Sequence, residues 1–563
     1  MKIQPIPARK IFSVSVLAAF AISWAHPVVA AEPVGRGSYQ DLLALFQDMS
    51  KWSYESGTDD GADFRPQAIE ARKKELKSFQ TQLADMNVVS WTPAQKVDYL
   101  TVRSQLDKQE FIVRVTRPWA RDPGYYLPSM QSAAFTQLPQ AGAALKSLKS
   151  KLRAIPATLA QAKLVLTDVA ADHADLAIDS LTKSDGVEDG YPYRASPPAG
   201  VIGWYRDLLT RANKQQPALK PDIVKAIAEL ESYRQWLVAH RSRMNGRAGV
   251  GEQALDWYLR NALLLPYTSR DVEALGQREL DRFWGFYALE RHQNRDLPEI
   301  AISPSAEDYM QRVADTDARV RKFLVEKEFI TIPPSMPQDW RRFIVFPYKE
   351  PFNVPFIKRA TPPNFWEQVQ FRDPAPDHLH AVIPGHRFDN MMAFANPNPI
   401  RRAVQDGARY QGWAVYLEES ALQAGFFNDQ PRVRELIQVF GLWRAARTVG
   451  DVRNQRNEKT AAEVADHWMQ VTPMLDRNVA RKYAHIRTLP AHGLEYTMGN
   501  IQMWNLLAER RRQLGEKFVL KDFHDTFISK GRIPIALIRY EMTGNDEDVK
   551  TFWDRDPMPE PSR

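Results

Sequence analysis

The 563-residue chain contains no cysteine. This absence excludes disulfide bonds, thiolate metal ligands, cysteine nucleophiles and a cysteine-linked lipid anchor. Several short catalytic signatures are also missing: there is no G-x-S-x-G nucleophile elbow, no H-E-x-x-H zinc motif, no Walker loop and no dinucleotide-binding glycine fingerprint. Any metal site or catalytic site must therefore be built from histidine, carboxylate, amide or phenol groups.

The chain also lacks blocks of like charge and internal repeats. Its net charge is +7, with acidic and basic residues interleaved along the sequence. No basic patch with aromatic residues, of the kind that binds nucleic acid, stands out. The charge pattern therefore predicts a solvated surface and no nucleic-acid partner; the expected substrate, a small molecule or a peptide, follows from the motifs described below.

The first 31 residues have the three parts of a secretory signal peptide. A positive start with Lys2, Arg9 and Lys10 precedes an apolar core, and small residues follow at 28–31. The apolar run is too short for a stable membrane span. We therefore predict a signal peptide at 1–31, cleavage near Ala30 or Ala31 and export to a bacterial periplasm.

The remaining residues, 32–563, are predicted to form a single large helical domain of catalytic type. Residues 38–52, 141–178 and 220–244 repeat apolar side chains at three- and four-residue steps, which is typical of amphipathic helices. Between about 328 and 376 the composition changes to β-branched and aromatic runs interrupted by prolines. The predicted fold is mainly α, with a small β-rich insert beside the histidine cluster described next.

Three of the eleven histidines lie within the stretch "PDHLHAVIPGHRFDN", residues 376–390. His380 and His386 are six residues apart, so on a straight helix they would point about 120° away from each other. Pro384 and Gly385 lie between them and should break or kink the helix, which could bring His386 round to His380. His378 shares a face with His380 only if the chain there is extended. Spacing alone leaves two alternatives open, a metal site or polar histidines in a loop.

The segment "HAVIPGHRFD" resembles the H-E-x-x-P-G-H-x-x-Q hallmark of a bacterial family, domain-of-unknown-function family eight-eighty-five. Four further blocks resemble other family motifs in the same order, over roughly residues 90 to 540; they lie at 249–280, 410–419, 490–499 and 523–538. The family is regarded as similar to helical zinc metallopeptidases. The resemblance therefore implies a metallopeptidase-like helical body, a divalent metal such as Zn²⁺ and hydrolysis of an amide or peptide-like bond.

Three of this chain's departures from the family pattern fall where the chemistry would be. Ala381 stands where the family has the glutamate that would activate metal-bound water, and a methyl group cannot accept a proton. Gln411 replaces a glutamate that would be a metal ligand, and an amide oxygen binds a metal more weakly than a carboxylate. Gln455 replaces a histidine.

The resemblance implies a metal-binding set and a set of catalytic candidates in this sequence. The metal candidates are His380, His386, Glu418 and Gln411, and the catalytic candidates are Tyr496, His492 and His378. Glu418 lies seven residues after Gln411, so both can face one site, but Glu418 could instead pair with Arg444 or Arg447. Tyr496 could stabilise an oxyanion, and His378 or His492 could replace the missing base.

Three functions remain open from the sequence. The first is an exported metal-dependent hydrolase. The second is a lyase that performs elimination or carbon–carbon cleavage on a small aromatic substrate, which requires acid, base and polarising groups but no activated water. The third is a non-catalytic binding protein that has kept the fold.

Overall fold

The computed structural model describes residues 37–52, 63–183, 198–342, 362–485 and 490–560. These residues contain α-helices, short 3₁₀ and π turns and no β-strand. A single isolated bridge, between Ala170 and Gly246, is the extended pairing found within them. The prediction of a mainly α fold is thus confirmed, whereas the predicted signal peptide lies outside the described residues.

The helices are numbered in chain order within the described ranges. They are α1 (Tyr39–Trp52), α2 (Pro66–Ala84), α3 (Pro93–Phe111), α4 (Pro118–Arg121), α5 (Pro128–Ala134), α6 (Gly142–Val165), α7 (Ala171–Thr182), α8 (Gly200–Gln215), α9 (Lys220–His240), α10 (Glu252–Trp257), α11 (Ser269–Gln293), α12 (Ala306–Glu326), α13 (Phe365–Gln370), α14 (Ala375–Ala381), α15 (His386–Phe394), α16 (Pro399–Ala403), α17 (Gly407–Gln423), α18 (Pro431–Gln455), α19 (Ala461–Val471), α20 (Arg477–His485), α21 (His492–Leu514), α22 (Leu520–Ser529), α23 (Ile535–Thr543) and α24 (Glu547–Phe552).

The predicted helices at 38–52 and 220–244 are confirmed as α1 and as α9 with a following 3₁₀ turn. The stretch 141–178 forms two helices, α6 and α7, instead of one. Between them the amide of Ala170 donates to the carbonyl of Arg121, and residue 170 pairs with Gly246. These contacts interrupt the helix between α6 and α7, although the apolar spacing typical of a helix continues through this stretch of the sequence.

The predicted β-rich insert at 328–376 is wrong for the part that the structure describes. Residues 328–342 form coil with a 3₁₀ turn at Trp340–Arg342, and α13 and the start of α14 occupy most of 362–376. Asn364 and Glu367 form a reciprocal capping box that begins α13, so the aromatic residues there lie on a helix. Residues 343–361 of the predicted insert lie outside the described residues.

Helices α17, α18 and α21 form the scaffold around the histidines, and α11 packs on the outer side of α18. The α17–α21 crossing depends on two glycines. A Cβ atom at Gly412 would lie 2.3 Å from the carbonyl carbon of Gly499, so only glycine allows the two backbones to approach this closely. Trp413 and Trp443 are fully buried core residues.

No helix among the described residues combines the length and the apolar character that a membrane-spanning helix requires.

Candidate functional site

The histidine motif folds as a helix, a sharp turn and a second helix. Helix α14 ends at Ala381 and α15 begins at His386. A Cβ atom at Gly385 would lie 1.9 Å from the carbonyl oxygen of His380, so the turn requires glycine at that position. The turn brings the two imidazoles together, with ring centroids 4.6 Å apart and planes at 84°. The predicted break at the Pro-Gly pair therefore places His386 beside His380.

His378 is directed away from this pair. Because α14 is helical, residues two positions apart lie about 200° apart around its axis. The Nε2 atom of His378 lies 2.9 Å from Oδ1 of Asp317, and its ring packs edge-on against Trp340. The structure therefore does not bring His378 together with the other candidates.

Glu418 joins His380 to Arg444 in a buried network. Its Oε1 lies 2.7 Å from Nδ1 of His380, and the Arg444 guanidinium donates to both carboxylate oxygens, at 2.6 and 2.7 Å. Glu418 is only 1% exposed and Arg444 only 5% exposed. From the sequence, Glu418 could lie beside the histidines or pair with an arginine. In the structure it does both.

The protonation of this network follows from its burial and its charges. Burial, and then the positive charge of Arg444, hold the pKa of His380 well below its usual range. Burial raises the pKa of Glu418 to about 7, although Arg444 opposes that rise. When Glu418 is ionised, Nδ1–H of His380 donates to the carboxylate and Nε2 keeps its lone pair. The described residues offer Nε2 no hydrogen-bond partner.

Tyr496, on the first turns of α21, faces the imidazole of His380. The two rings are nearly parallel, with an angle of 12° and centroids 6.4 Å apart. His492 packs edge-on against Tyr496 at 5.5 Å, and its Nδ1 lies 3.5 Å from a carboxylate oxygen of Glu495. The two rings thus lie side by side at the site, with the imidazole of His380 and the phenol of Tyr496 as its acid–base groups.

The start of α21 is held by a carboxylate of the neighbouring helix α18. The carboxylate of Asp451 on α18 accepts a hydrogen bond from the amide of Gly493, at 2.9 Å. A carboxylate at the first turn of a helix satisfies an amide that has no intrahelical acceptor and also complements the helix dipole. Asp451 therefore positions the helix that carries Tyr496.

His386 and Gln411 form the second half of the cluster. The His386 ring stacks on Tyr410, with centroids 3.9 Å apart. Burial and then the neighbouring His380 hold the pKa of His386 well below its usual range, while Gln411 at its side has the opposite effect. Nδ1 of His386 and Oε1 of Gln411 are buried, and neither has a hydrogen-bond partner among the residues that the structure describes. The structure thus brings His380, His386, Gln411, Glu418 and Tyr496 together.

The donor set does not fit a catalytic divalent metal. Glu418 offers the one carboxylate beside the two histidines, and Arg444 already occupies both of its oxygens. The Arg444 guanidinium also lies 3.2 Å from Nδ1 of His380, so a second cation there would be repelled. The remaining donors are two imidazoles and the neutral amide of Gln411, and within the described ranges no group of three histidines and carboxylates has metal-binding geometry.

Two further residues, Arg447 and Tyr410, contact the site in ways that the sequence did not predict. Arg447 was considered as a partner of Glu418, but its guanidinium carbon lies 4.6 Å from the ring centre of Tyr496 instead. Its spacing of three residues from Arg444 on α18 indicates a shared helix face, which was the available signal. Tyr410 stacks on His386, and no pattern in the sequence separates it from an ordinary core aromatic.

Comparison with known proteins finds one family that part of the chain resembles and solved structures with a similar fold. The profile described as "Bacterial protein of unknown function (DUF885)" matches residues 377–542. A protein of unknown function from Shewanella oneidensis, proposed to be a lipoprotein, has a similar solved structure: the TM-score is 0.66 at 19% identity, over 90% of this chain and 100% of that one. A proposed lipoprotein from Colwellia psychrerythraea has a TM-score of 0.64 at 15% identity, over 92% of this chain and 98% of that one.

At these identities the two structures share the fold alone with this chain. No curated protein matches the sequence. The family match covers the segment that contains both histidines, Glu418, Arg444 and Tyr496, and the family description names no activity. Residues 377–542 of this chain are therefore similar to the DUF885 family of bacterial proteins of unknown function.

Proposed function

We propose that the protein is an exported enzyme that performs acid–base chemistry on a small aromatic substrate, of the lyase class, without an activated metal-bound water. The observation that carries this proposal is the sharing of the Glu418 carboxylate between Nδ1 of His380 and the guanidinium of Arg444. That arrangement orients a neutral imidazole and leaves its Nε2 with a lone pair. A base of this kind is what an elimination or a carbon–carbon cleavage requires.

The roles of the groups follow from their positions. His380 would accept a proton from the substrate through Nε2, because its Nδ1 is engaged with Glu418. Tyr496 would donate a hydrogen bond from its hydroxyl to the oxygen on which negative charge develops. The described residues contain no hydrogen-bond partner for that hydroxyl, so it is available to a ligand. Arg444 would keep Glu418 ionised while His380 carries the proton.

Metal-dependent hydrolysis, which the family resemblance implies, requires a different state of the same groups. A metal ligand set that includes Glu418 would need Arg444 to release the carboxylate. It would also need a base in place of the glutamate that Ala381 replaces, and His378 is bound to Asp317 instead. The two functions therefore differ in a measurable way, through their dependence on a divalent ion.

The test is a screen of aromatic compounds and peptides with the purified full chain, with and without a chelator. We expect turnover of a non-peptide aromatic compound that the chelator does not reduce. His380→Gln should abolish that turnover, Tyr496→Phe should reduce it by about 10²–10⁴-fold, and the exposed control His292→Gln should leave it unchanged. Peptide hydrolysis that a chelator abolishes and Zn²⁺ restores would refute the proposal.

Export is part of the same proposal. The ordered charged, apolar and small-residue parts of residues 1–31 support it, and both similar structures come from proteins proposed to be lipoproteins, a class that lies outside the cytoplasm. Sequencing the N-terminus of protein recovered from the periplasm checks it. We expect a start just after Ala30 or Ala31, and recovery of an intact chain that starts at Met1 would contradict export by cleavage.

A further inference from the structure

Arg447 is a buried cation beside the candidate site. It lies three residues after Arg444 on α18 and is only 2% exposed. Its guanidinium carbon lies 5.3 Å from the ring centre of Trp443, 4.9 Å from that of Tyr483 and 4.6 Å from that of Tyr496. No carboxylate of the described residues forms an ion pair with it, in contrast to Arg444.

A buried guanidinium without a counter-ion costs free energy, because it has lost its hydration without gaining an opposite charge. The three aromatic faces return part of that free energy through cation–π attraction. They do not accept conventional hydrogen bonds, however, and no described residue provides an acceptor for Nη2 of Arg447. Nor does any residue in the described ranges accept from the indole Nε1–H of Trp443, next to it. Two adjacent donors and one positive charge are thus left for an anion to satisfy.

The aromatic rings around Arg447 connect it to the candidate site. Tyr483 and Tyr496, two of these rings, are only half-buried, in contrast to Arg447 itself. The Tyr496 ring neighbours both groups: its centre lies 4.6 Å from the guanidinium carbon of Arg447 and 6.4 Å from the ring centre of His380. A group bound at Arg447 would therefore hold the rest of a small molecule next to His380.

We propose that Arg447, with Tyr483 and Tyr496, forms an oxyanion subsite that selects substrates carrying a carboxylate on a planar unsaturated or aromatic group. The guanidinium recognises the oxyanion, and the tyrosine rings contact the planar part. An inorganic oxyanion such as phosphate has the same charge chemistry but no planar group, so its binding should be weaker. The role of this subsite in substrate selection rests on the proposed function, whereas binding of the oxyanion can be measured without any turnover.

The test is calorimetric titration of the full chain with benzoate, inorganic phosphate and benzyl alcohol. We expect benzoate to bind more tightly than phosphate, and benzyl alcohol, which has no charge, to give no measurable binding. Arg447→Met should weaken benzoate binding at least about tenfold, since a charge-assisted hydrogen bond is lost. The matched control Arg453→Met removes an arginine from the same helix, at a position where the side chain is partly exposed, and should leave binding unchanged.

Two further variants separate the possible outcomes of the titration. If Arg447→Met does not fold, Arg447→Lys keeps the charge but loses the planar fork, and it should still weaken benzoate binding severalfold. His380→Gln should abolish turnover yet leave benzoate binding intact, so failure of the proposed reaction is distinguishable from failure of the subsite. Absence of benzoate binding to the unmodified protein, or equal binding by the Arg447 variants and the Arg453 control, would overturn the proposal.

Discussion

Replacing Arg444 with methionine should destabilise the protein strongly, and more at pH 8 than at pH 6. The substitution removes both hydrogen bonds that the Glu418 carboxylate accepts from the guanidinium, and Glu418 is 1% exposed. Removal of one partner of a buried ion pair typically costs about 3–5 kcal/mol, because the other charge is left uncompensated. We expect a loss of this size in the free energy of unfolding at pH 8.

The pH dependence follows because a bound proton can replace the positive charge that Arg444 supplied. Without Arg444, the charge of Glu418 can be balanced by a proton on its own carboxyl or on His380, which lies 2.7 Å away. Burial already raises the pKa of Glu418 to about 7, and the loss of Arg444 raises it further. The folded variant then binds more protons than the unfolded chain above the ordinary pKa of the carboxyl, so its stability falls as the pH rises through the neutral range. Each pH unit in that range contributes at most about 1.4 kcal/mol.

The assay is urea denaturation at pH 6 and pH 8, with Arg453→Met as the control on the same helix. Arg453 pairs with Glu273 at 2.7 Å with its side chain 36% exposed, so its replacement should cost less than about 1 kcal/mol. The double variant Glu418→Gln with Arg444→Met should recover part of the loss, because no charge is left buried. A loss in Arg444→Met that equals the Arg453 control, or that does not change with pH, would refute the reasoning.

Two further predictions concern stability away from the ion pair. His524 donates from Nδ1 to the carbonyl of Phe329 at 2.6 Å, and its Nε2 accepts from the hydroxyl of Tyr416 at 2.8 Å. Burial lowers the pKa of His524 to about 4, so the imidazole is neutral in the folded protein at neutral pH. Its contribution to the free energy of unfolding is complete above about pH 6.5, the ordinary pKa of histidine, and is lost as the pH falls towards 4. The loss is at most about 1.4 kcal/mol per pH unit. A His524→Gln variant should lack this pH dependence in urea denaturation between pH 4.5 and 7, and a slope equal to that of the unmodified protein would contradict the assignment. Gly412→Ala should destabilise by at least about 1–3 kcal/mol, because its methyl group would overlap the backbone of Gly499, and an unchanged melting temperature would contradict the close α17–α21 contact.

The turn between the histidines could be predicted from the sequence because its cause is local. Pro384 and Gly385 restrict the backbone of their own segment, and Gly385 is required by the carbonyl of His380, five residues earlier. The separation of His378 from His380 could be stated only conditionally, since it depended on whether the stretch was extended or helical. Once α14 is helical, the two side chains must lie on opposite sides.

The pairing of Glu418 with Arg444 could not be decided from the sequence. The two residues are on different helices, and their distance depends on how α17 and α18 pack, which spacing along the chain does not contain. A charged residue on a buried helix indicates that a partner exists without identifying it. The sequence therefore left the metal and the arginine as equal alternatives for Glu418.

The β-rich insert was mispredicted for a related reason. Aromatic and β-branched residues favour a strand only where a neighbouring strand can pair with them. In 328–342, prolines remove several of the amides that would pair, and Phe365 follows a strong helix cap at Asn364. Local capping and the absence of a partner strand outweigh composition in the described part of this segment.

We infer that Arg444, rather than a metal ion, holds Glu418 beside His380. The direct test is to measure the divalent metal content of the purified full chain, and then to titrate the metal-depleted protein and Arg444→Met with Zn²⁺. We expect the unmodified protein to contain no stoichiometric metal at this site. Arg444→Met should bind Zn²⁺ at least about tenfold more tightly than the unmodified protein, because a carboxylate ligand becomes available beside two imidazoles. One equivalent of divalent metal in the unmodified protein, lost in both His380→Gln and His386→Gln, would contradict the claim.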